Sequence, residues 1–481
     1  MGYTPHHSFR LLDEVRESVR LAQGIGADGK LQPKPMDRAV ATMKLFNTLG
    51  SSEHVDRLVP VATSAVREAS NRDALLERIA RESGMTMRVL SAREEAYYGY
   101  LGAVNTVNIA DGFLIDIGGG STQVTKVVNR TFAQTFSQPI GALRATDRYI
   151  HSDPISPNEF RALDLAIGGF FHDLDWLRSS KRASLTGIGG TIRSLGELDM
   201  KLRGYTLDRV HGYILTRDRI EALIAQIRAM TQRQREDLPG VSRDRSDIIL
   251  AGAMILAQLM KKGRFSEITI GGQGVREGLF YEQFLVGEDP PLFADMRGFS
   301  VQNLARQYED EPLHAAKVRE LSLSLFDQLR PLHGYGDEER ELLAYAATLH
   351  DIGLSVNYYD HHKHGEYLIL NSTMQGFTHR EIVLMAALVR YHRKGEVSLE
   401  AHRDIVALGD LERVARLAAL LRLAEYLERR KTQVVRGLTV TIGETVTIVT
   451  QISGDATVEI WDANRGSGLF RKAYGRGVQI R

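Results

Sequence analysis

The apolar run Phe113-Leu114-Ile115 leads into Asp116-Ile117-Gly118-Gly119-Gly120-Ser121-Thr122, so a strand delivers an acid to its carboxyl end and then opens into a turn of three glycines. Such a turn lets backbone N–H groups approach anionic oxygens, and Ser121 and Thr122 add hydroxyl donors. Gly118, Gly119, Gly120, Ser121 and Thr122 are therefore candidate phosphate contacts. Asp116 offers the hard oxygen that Mg²⁺ prefers, one carboxylate sufficing when substrate phosphates and waters complete the shell. The plainer alternatives are a strand-to-strand turn and an Asp that caps it. Two later segments repeat the plan, Thr186-Gly187-Ile188-Gly189-Gly190-Thr191 and Ile268-Thr269-Ile270-Gly271-Gly272-Gln273-Gly274. Three such turns suggest backbones converging on one ligand, although turn chemistry alone explains any single one.

The elements that must position these residues follow from patterning. The 481 residues suit about three ordinary domains, and 43% hydrophobic with 25% charged residues is globular composition. A formal net charge of +1 means that a polyanion must be held by a local basic site, not by the field of the whole protein. No cysteine is present, which excludes disulfides and thiolate chemistry. No opening segment has a signal peptide's apolar core and no run approaches a membrane span, so a cytoplasmic protein without membrane contact is expected.

Residues 1–110 read as mixed: a strand over Ser8 to Arg16, a helix over Asp37 to Leu49, a buried strand over Leu58 to Thr63 and a helix over Arg72 to Ser83. Strands and helices alternate through 111–290, with helices at Ile220 to Met230 and Ile248 to Leu259, as in an α/β layer. Asp289-Pro290-Pro291 interrupts that rhythm. An all-α domain is expected over 297–430, with helices at Ala315 to Leu329, Glu338 to His350 and Leu411 to Arg430. The β-rich runs Leu438 to Ile442 and Thr445 to Val449 predict a small α/β cap over 431–481.

Together with Val59-Pro60-Val61-Ala62-Thr63-Ser64-Ala65-Val66-Arg67-Glu68-Ala69 and Ser91-Ala92-Arg93-Glu94-Glu95-Ala96, the three glycine turns resemble the exopolyphosphatase and guanosine pentaphosphate phosphohydrolase family of the actin-like ATPase superfamily. The resemblance covers nearly the whole chain, with five motifs in order. It implies an actin-like, ribonuclease H-like two-domain core, with 1–110 as the first domain and 111–290 as the second. Ser91 and Glu94 fit a capping box, which gives Glu94 a structural duty. The family's catalytic carboxylate, which orients or deprotonates the attacking water, falls on Glu95. The plainer reading of Glu95 is a solvated helix carboxylate. Arg67 stands where the family places an arginine on the phosphate chain. Gly189, Gly190, Gly271 and Gly272 match its remaining glycine turns, and Arg276 is expected either to reach the cleft or to pair with Glu277. The implied activity is processive release of terminal phosphate from inorganic polyphosphate with Mg²⁺, or hydrolysis of guanosine pentaphosphate; a homodimer and no specific nucleic acid are implied as well.

Two features depart from the family pattern. Its usual opening phosphate loop has no counterpart before Phe9-Arg10-Leu11-Leu12-Asp13-Glu14-Val15, so the first domain is expected to be incomplete at its amino end. Gln123 stands where the family usually has Glu, which keeps an acceptor oxygen for positioning water and loses a charge. Both departures favour the rival reading of a non-catalytic polyphosphate or alarmone sensor. Farther on, His314 and His350-Asp351 resemble the metal-dependent phosphohydrolase domains named for their His-Asp pair. Glu425 occupies the place of that domain's last Asp ligand, so His314, His350, Asp351 and Glu425 are a candidate second divalent-metal site. His361, His362, His364, His379 and His392 crowd the same region. Arg178, Lys181, Arg182, Lys261, Lys262 and Arg264, with Arg465, Arg471, Lys472, Arg476 and Arg481, form an anion track only if the fold aligns them.

Overall fold

The computed structural model describes residues 1–25, 28–180, 183–308 and 311–481; Lys181 and Arg182 lie outside them. The chain divides into two compact units, 1–205 with 209–292, and 293–481 with 206–208.

The first unit is organised by a six-stranded sheet in the spatial order Thr131–Gln138, Thr122–Val128, Gly112–Ile117, Ser184–Ile188, Glu267–Ile270, Ile214–Thr216. The strand carrying Asp116 pairs antiparallel with Thr122–Val128, with Asp116 opposite Gln123, and parallel with Ser184–Ile188, with Asp116 opposite Ile188. Side chains alternate across a strand. Phe113, Ile115 and Ile117 therefore enter one core with Leu195, Leu250 and Ile255, while Leu114 enters another with Tyr98, Leu101 and Leu279. Asp116 shares the parity of Leu114 and so lies on the face covered by the helix Ala92–Val104.

That helix crosses Val275–Phe284 at a pair of glycines. A side chain on Gly278 would meet the Tyr98 carbonyl at 1.9 Å, and one on Gly102 the Gly274 carbonyl at 2.2 Å. Only hydrogen at these positions lets the two backbones approach so closely.

The expected strand over Ser8 to Arg16 is realised only at Ser8–Arg10, paired with Gly2–Thr4. Beyond it the chain has no regular structure as far as Arg20; Leu11 and Leu12 are exposed, and Glu14 pairs with Arg16 and Arg276 instead of entering a ladder. The strand expected over Leu58 to Thr63 shortens to Val61–Ala62, parallel to Arg88–Val89. The helix over Arg72–Ser83 forms as expected and ends on a left-handed Gly84.

In the second unit the helices Met296–Tyr308, Pro312–Gln328, Asp337–Leu349, His361–Asn371, His379–Tyr391 and Asp410–Leu427 surround one apolar core. The three-stranded sheet Val435–Thr441, Thr445–Ile452, Gly477–Ile480 contributes Val435, Val446, Ile448 and Ile480 to that same core, so helices and cap are packed as one body. Among the described residues no helix is long and apolar enough to cross a membrane.

Candidate functional site

Glu95 is placed by local chemistry. Ser91 caps its helix: the Ser91 hydroxyl accepts from the Glu94 N–H at 3.2 Å, and the Glu94 carboxylate accepts from the Ser91 N–H at 2.8 Å. With Glu94 held there and paired to Arg88, Glu95 turns inward and is buried. Gly99 lies one helical turn on, and a side chain there would come within 4.0 Å of Asp116 Oδ2. Glu95 and Asp116 thus share one recess. Burial raises the Glu95 carboxyl above its ordinary range, with Arg67 and Gln123 opposing. Burial first, and the Glu95 charge second, push Asp116 up to about 7 against the pull of Arg193.

Arg67, which the resemblance places on the phosphate chain, is turned toward Glu95. Its Nη1 donates to Glu95 Oε2 at 2.7 Å and to the Leu90 carbonyl at 2.9 Å, so it fixes the carboxylate in place. Gln123 is buried opposite Asp116 and close enough to favour the charged form of Glu95, yet neither its Nε2 nor its Oε1 completes a hydrogen bond within the protein. A buried amide left with both ends free is costly unless a ligand or water completes it.

The glycine turn divides its labour. The Gly118 N–H closes the turn onto the Ser121 carbonyl at 3.0 Å, whereas the amides of Gly119, Gly120 and Ser121 donate to no carbonyl among the described residues. The turn rests on Gly141, where a side chain would strike the Gly118 carbonyl at 2.5 Å, and meets Ser64 over Gly120. Thr122 is a correction: its hydroxyl donates to the Ile140 carbonyl at 2.6 Å and holds the turn to the next segment, so it is not a free phosphate donor.

Gly189, with φ +92°, begins the helix Gly190–Arg203 and lies against the metal candidate; a side chain on it would stand 2.6 Å from Asp116 Oδ1. Gly190 is covered by the Arg245 guanidinium. Gly271 and Gly272 are the second correction. Their N–H groups are committed, Gly271 to the Gly187 carbonyl at 2.7 Å and Gly272 to His211 Nδ1 at 2.9 Å, because the parallel ladder continues one residue past the strand and the imidazole caps the next amide. The Gly272 carbonyl instead receives Arg193 Nη1 at 3.0 Å, which fixes a half-buried guanidinium whose charge acts on Asp116. Sequence reasoning passed over Arg193; its place in the first turn of a helix opened by Gly189-Gly190 was the available signal. Arg276 pairs with Glu14 at 2.7 Å and Glu277 at 3.1 Å.

In the second unit His314, His350, Asp351 and Glu425 come together. Glu425 Oε2 lies 3.1 Å from His314 Nε2 and 3.2 Å from His350 Nε2, and Asp351 Oδ2 lies 3.6 and 3.7 Å from the same nitrogens. Burial works against charge on His350, but Asp351 and Glu425 outweigh it and raise the imidazole to about 9. His361 and His392 join this group, while His362 and His379 are buried outside it. The basic residues near the carboxyl end do not line up: Arg465 stacks on Trp461, Lys472 pairs with Glu396, and Arg476 donates to the Gly443 carbonyl.

The profile of the Ppx/GppA phosphatase family matches residues 3–286, and that of Ppx/GppA phosphatase domain III matches 296–453. The guanosine-5'-triphosphate,3'-diphosphate pyrophosphatase of Aeromonas hydrophila is 28% identical over 436 residues, 89% of this chain and 84% of that protein. An exopolyphosphatase of known structure from Cytophaga hutchinsonii superimposes with a TM-score of 0.52 at 24% identity, over 56% of this chain and 88% of that one. An exopolyphosphatase-like protein does so with a TM-score of 0.53 at 22% identity, over 57% and 92%. The two superpositions carry the fold, a mixed α/β core, and the profile match carries the identity: this chain belongs to the Ppx/GppA phosphatase family.

Proposed function

We propose that the recess of the first unit hydrolyses a terminal phosphoanhydride, releasing orthophosphate from inorganic polyphosphate or from guanosine pentaphosphate. The observation that carries this reading is the buried Gln123 amide, near enough to Glu95 to favour its charged form but in no hydrogen bond of strict geometry, opposite Asp116 and beside the open amides of the glycine turn. A water there is held by Gln123 and loses its proton to Glu95, whose Oε2 is kept by Arg67 and whose Oε1 remains for the water. The raised pKa of Glu95 makes it a better base for that proton. The amides of Gly119, Gly120 and Ser121 donate to the phosphoryl oxygens.

A divalent cation fits Asp116, whose carboxyl is raised to about 7 by burial and by the neighbouring Glu95 charge, both of which a cation would offset. In our reading Mg²⁺ bound there would neutralise charge on the phosphoryl oxygens. The polyphosphate reading is supported by the open amides of the glycine turn, which suit phosphoryl oxygens and make no use of a nucleoside. Guanosine pentaphosphate is supported by the named activity of the Aeromonas relative across most of the chain.

Mg²⁺-dependent phosphate release from both substrates, by the wild-type chain and by Glu95→Gln, tests the proposal. Release abolished in the variant is expected, and the ratio of kcat/KM values assigns the substrate. A wild type that binds both without release would instead make it a sensor, and a fully active Glu95→Gln would move the chemistry elsewhere.

A further inference from the structure

Of the basic residues that the sequence places in the first unit, three meet in space. Arg178, Lys262 and Arg264 line a cavity of about 220 Å³ together with Asp175, Leu177 and Ser179. Gly263 makes the meeting possible. A side chain on it would stand 2.6 Å from the Phe265 ring and 3.0 Å from Leu177, so its bare backbone lets the Leu177-Arg178-Ser179 segment lie against the end of the helix Ile249–Gly263. The Ser179 N–H donates to the Gly263 carbonyl at 2.6 Å and closes that contact. Arg178 and Ser179 precede the strand Ser184–Ile188, and Arg264 precedes Glu267–Ile270, which runs parallel to it. The cavity therefore lies at the amino ends of these strands, whereas the Asp116 recess lies at their carboxyl ends.

Two of the cations are partly engaged. Lys262 Nζ donates to the His172 carbonyl at 2.6 Å and to Asp175 Oδ1 at 3.0 Å, and Arg178 Nε donates to the Asp175 carbonyl at 2.9 Å. Basic side chains near helix ends commonly take up carbonyl groups in this way. That duty leaves the Arg178 Nη groups, the Ser179 hydroxyl and the whole Arg264 guanidinium without a hydrogen bond or ion pair among the described residues. Arg264 is singular in its backbone as well. It takes the left-handed conformation, φ +58° and ψ 35°, directly after the helix, where glycine would meet no steric cost. No bond of its exposed side chain offsets that cost among the described residues.

We propose that Arg178, Lys262 and Arg264, with the Ser179 hydroxyl, form a second anion site that takes a compact inorganic phosphate, either free orthophosphate or the end of a polyphosphate chain. Three cations face the single carboxylate of Asp175, which the Lys262 ammonium holds below the usual carboxylate range, so positive charge is in excess. A guanidinium fork can hold two phosphate oxygens at once, and a serine hydroxyl adds a further donor. The cavity is smaller than the roughly 300–1,000 Å³ of sites for drug-sized ligands, which suits a compact anion and not a nucleotide. Ligands of open α/β sheets gather at the carboxyl ends of the strands. A phosphate bound at the amino ends meets neither Asp116 nor the glycine turn, and the site stands whether or not the recess hydrolyses anything.

The test reads Trp176, which lies two residues before Arg178 and stacks on Phe113. The full chain has two tryptophans, so Trp461→Phe leaves Trp176 as its one indole. Sodium tripolyphosphate is titrated into this parent in metal-free buffer at constant ionic strength, followed by Trp176 emission and by calorimetry. A saturable response is expected, weakened at least about tenfold by Arg264→Gly, the loss of one charge-assisted hydrogen bond. Adding Arg178→Gln should remove one bound equivalent from the calorimetric count. Arg264→Gly should unfold at no lower denaturant concentration than the parent, since glycine suits the left-handed position. Orthophosphate that produces the same saturation assigns the free anion, and a response to tripolyphosphate alone assigns the chain end. A parent without a saturable response in either measurement, or a folded double variant that binds as many equivalents as tightly as the parent, overturns the proposal and leaves these cations as compensation for a helix end.

Discussion

The two acid-bearing regions compensate their carboxylates in opposite ways. In the first unit Asp116 and Glu95 share a recess in which Arg67 bonds Glu95 and the charge of Arg193, fixed on the Gly272 carbonyl, acts on Asp116, beside amides that donate to no carbonyl among the described residues. Its donors are hard and few, so a cation held there depends on substrate oxygens to complete its shell. In the second unit four imidazoles and two carboxylates already stand at ligand spacing. The protonation states register the contrast. Burial and Glu95 push Asp116 up to about 7 against the pull of Arg193, whereas the carboxylates around His350 raise that imidazole to about 9. His392 is pushed down to about 3 by burial and by the charge on His350. One region leaves its donors open to a polyanion and its cation, the other closes its charges on one another.

The contrast is broken most directly at Glu95. Glu95→Gln should lower kcat on the preferred substrate by about 10²–10⁴-fold, with metal content unchanged, since Arg67 and Gln123 remain to hold the site. Retained turnover would show that the recess is not the reacting centre. Next in size is Asp116→Asn, expected to reduce kcat/KM on the order of a hundredfold and to raise the Mg²⁺ concentration needed for half-maximal rate. Gln123→Ala removes one neutral contact to water and should cost about tenfold in kcat, since a hydrogen bond is worth roughly 1.4 kcal/mol there.

Stability sharpens the same comparison. The folded pKa of Asp116 lies above its ordinary 3.8, so the protonated form is favoured by folding. Metal-free protein should therefore be most stable, as far as this group is concerned, below about pH 4 and lose that contribution as pH rises to about 7. Asp116→Asn removes the charge and should melt higher than wild type at pH 8 without metal, with the difference shrinking toward pH 4; equal melting temperatures across that range would mean that Asp116 is not buried as described. The smallest effect belongs to Thr122→Val, expected to cost about 1 kcal/mol in denaturant unfolding for the lost bond to Ile140 while leaving phosphate release per folded molecule unchanged.

Much of the site was legible because its signals are local. A capping box over Ser91 and Glu94 separates the structural glutamate from the inward one within four residues, and an acid at the end of an apolar strand followed by three glycines is readable without a fold. The signals that failed were those in which a backbone group has a choice of partner. Nothing in Gly271-Gly272 announces that Gly187 and His211 take their amides, and nothing in Thr63-Ser64-Ala65-Val66-Arg67 announces that Arg67 turns to Glu95. The strand expected beyond Arg10 failed for a related reason, since strand propensity requires a neighbouring ladder.

Residue types and short-range spacing alone determined which chemistry the chain carries: oxygen ligands and glycine amides in one half, imidazoles with an Asp in the other. Tertiary structure alone decided which of those groups are free to use it. Hydrogen bonds and charges act over a few ångströms of space whatever the separation along the chain, so the partners that commit Thr122, Gly271 and Gly272, and those that bring His361 and His392 to the second oxygen of Asp351, exist only once the units are packed.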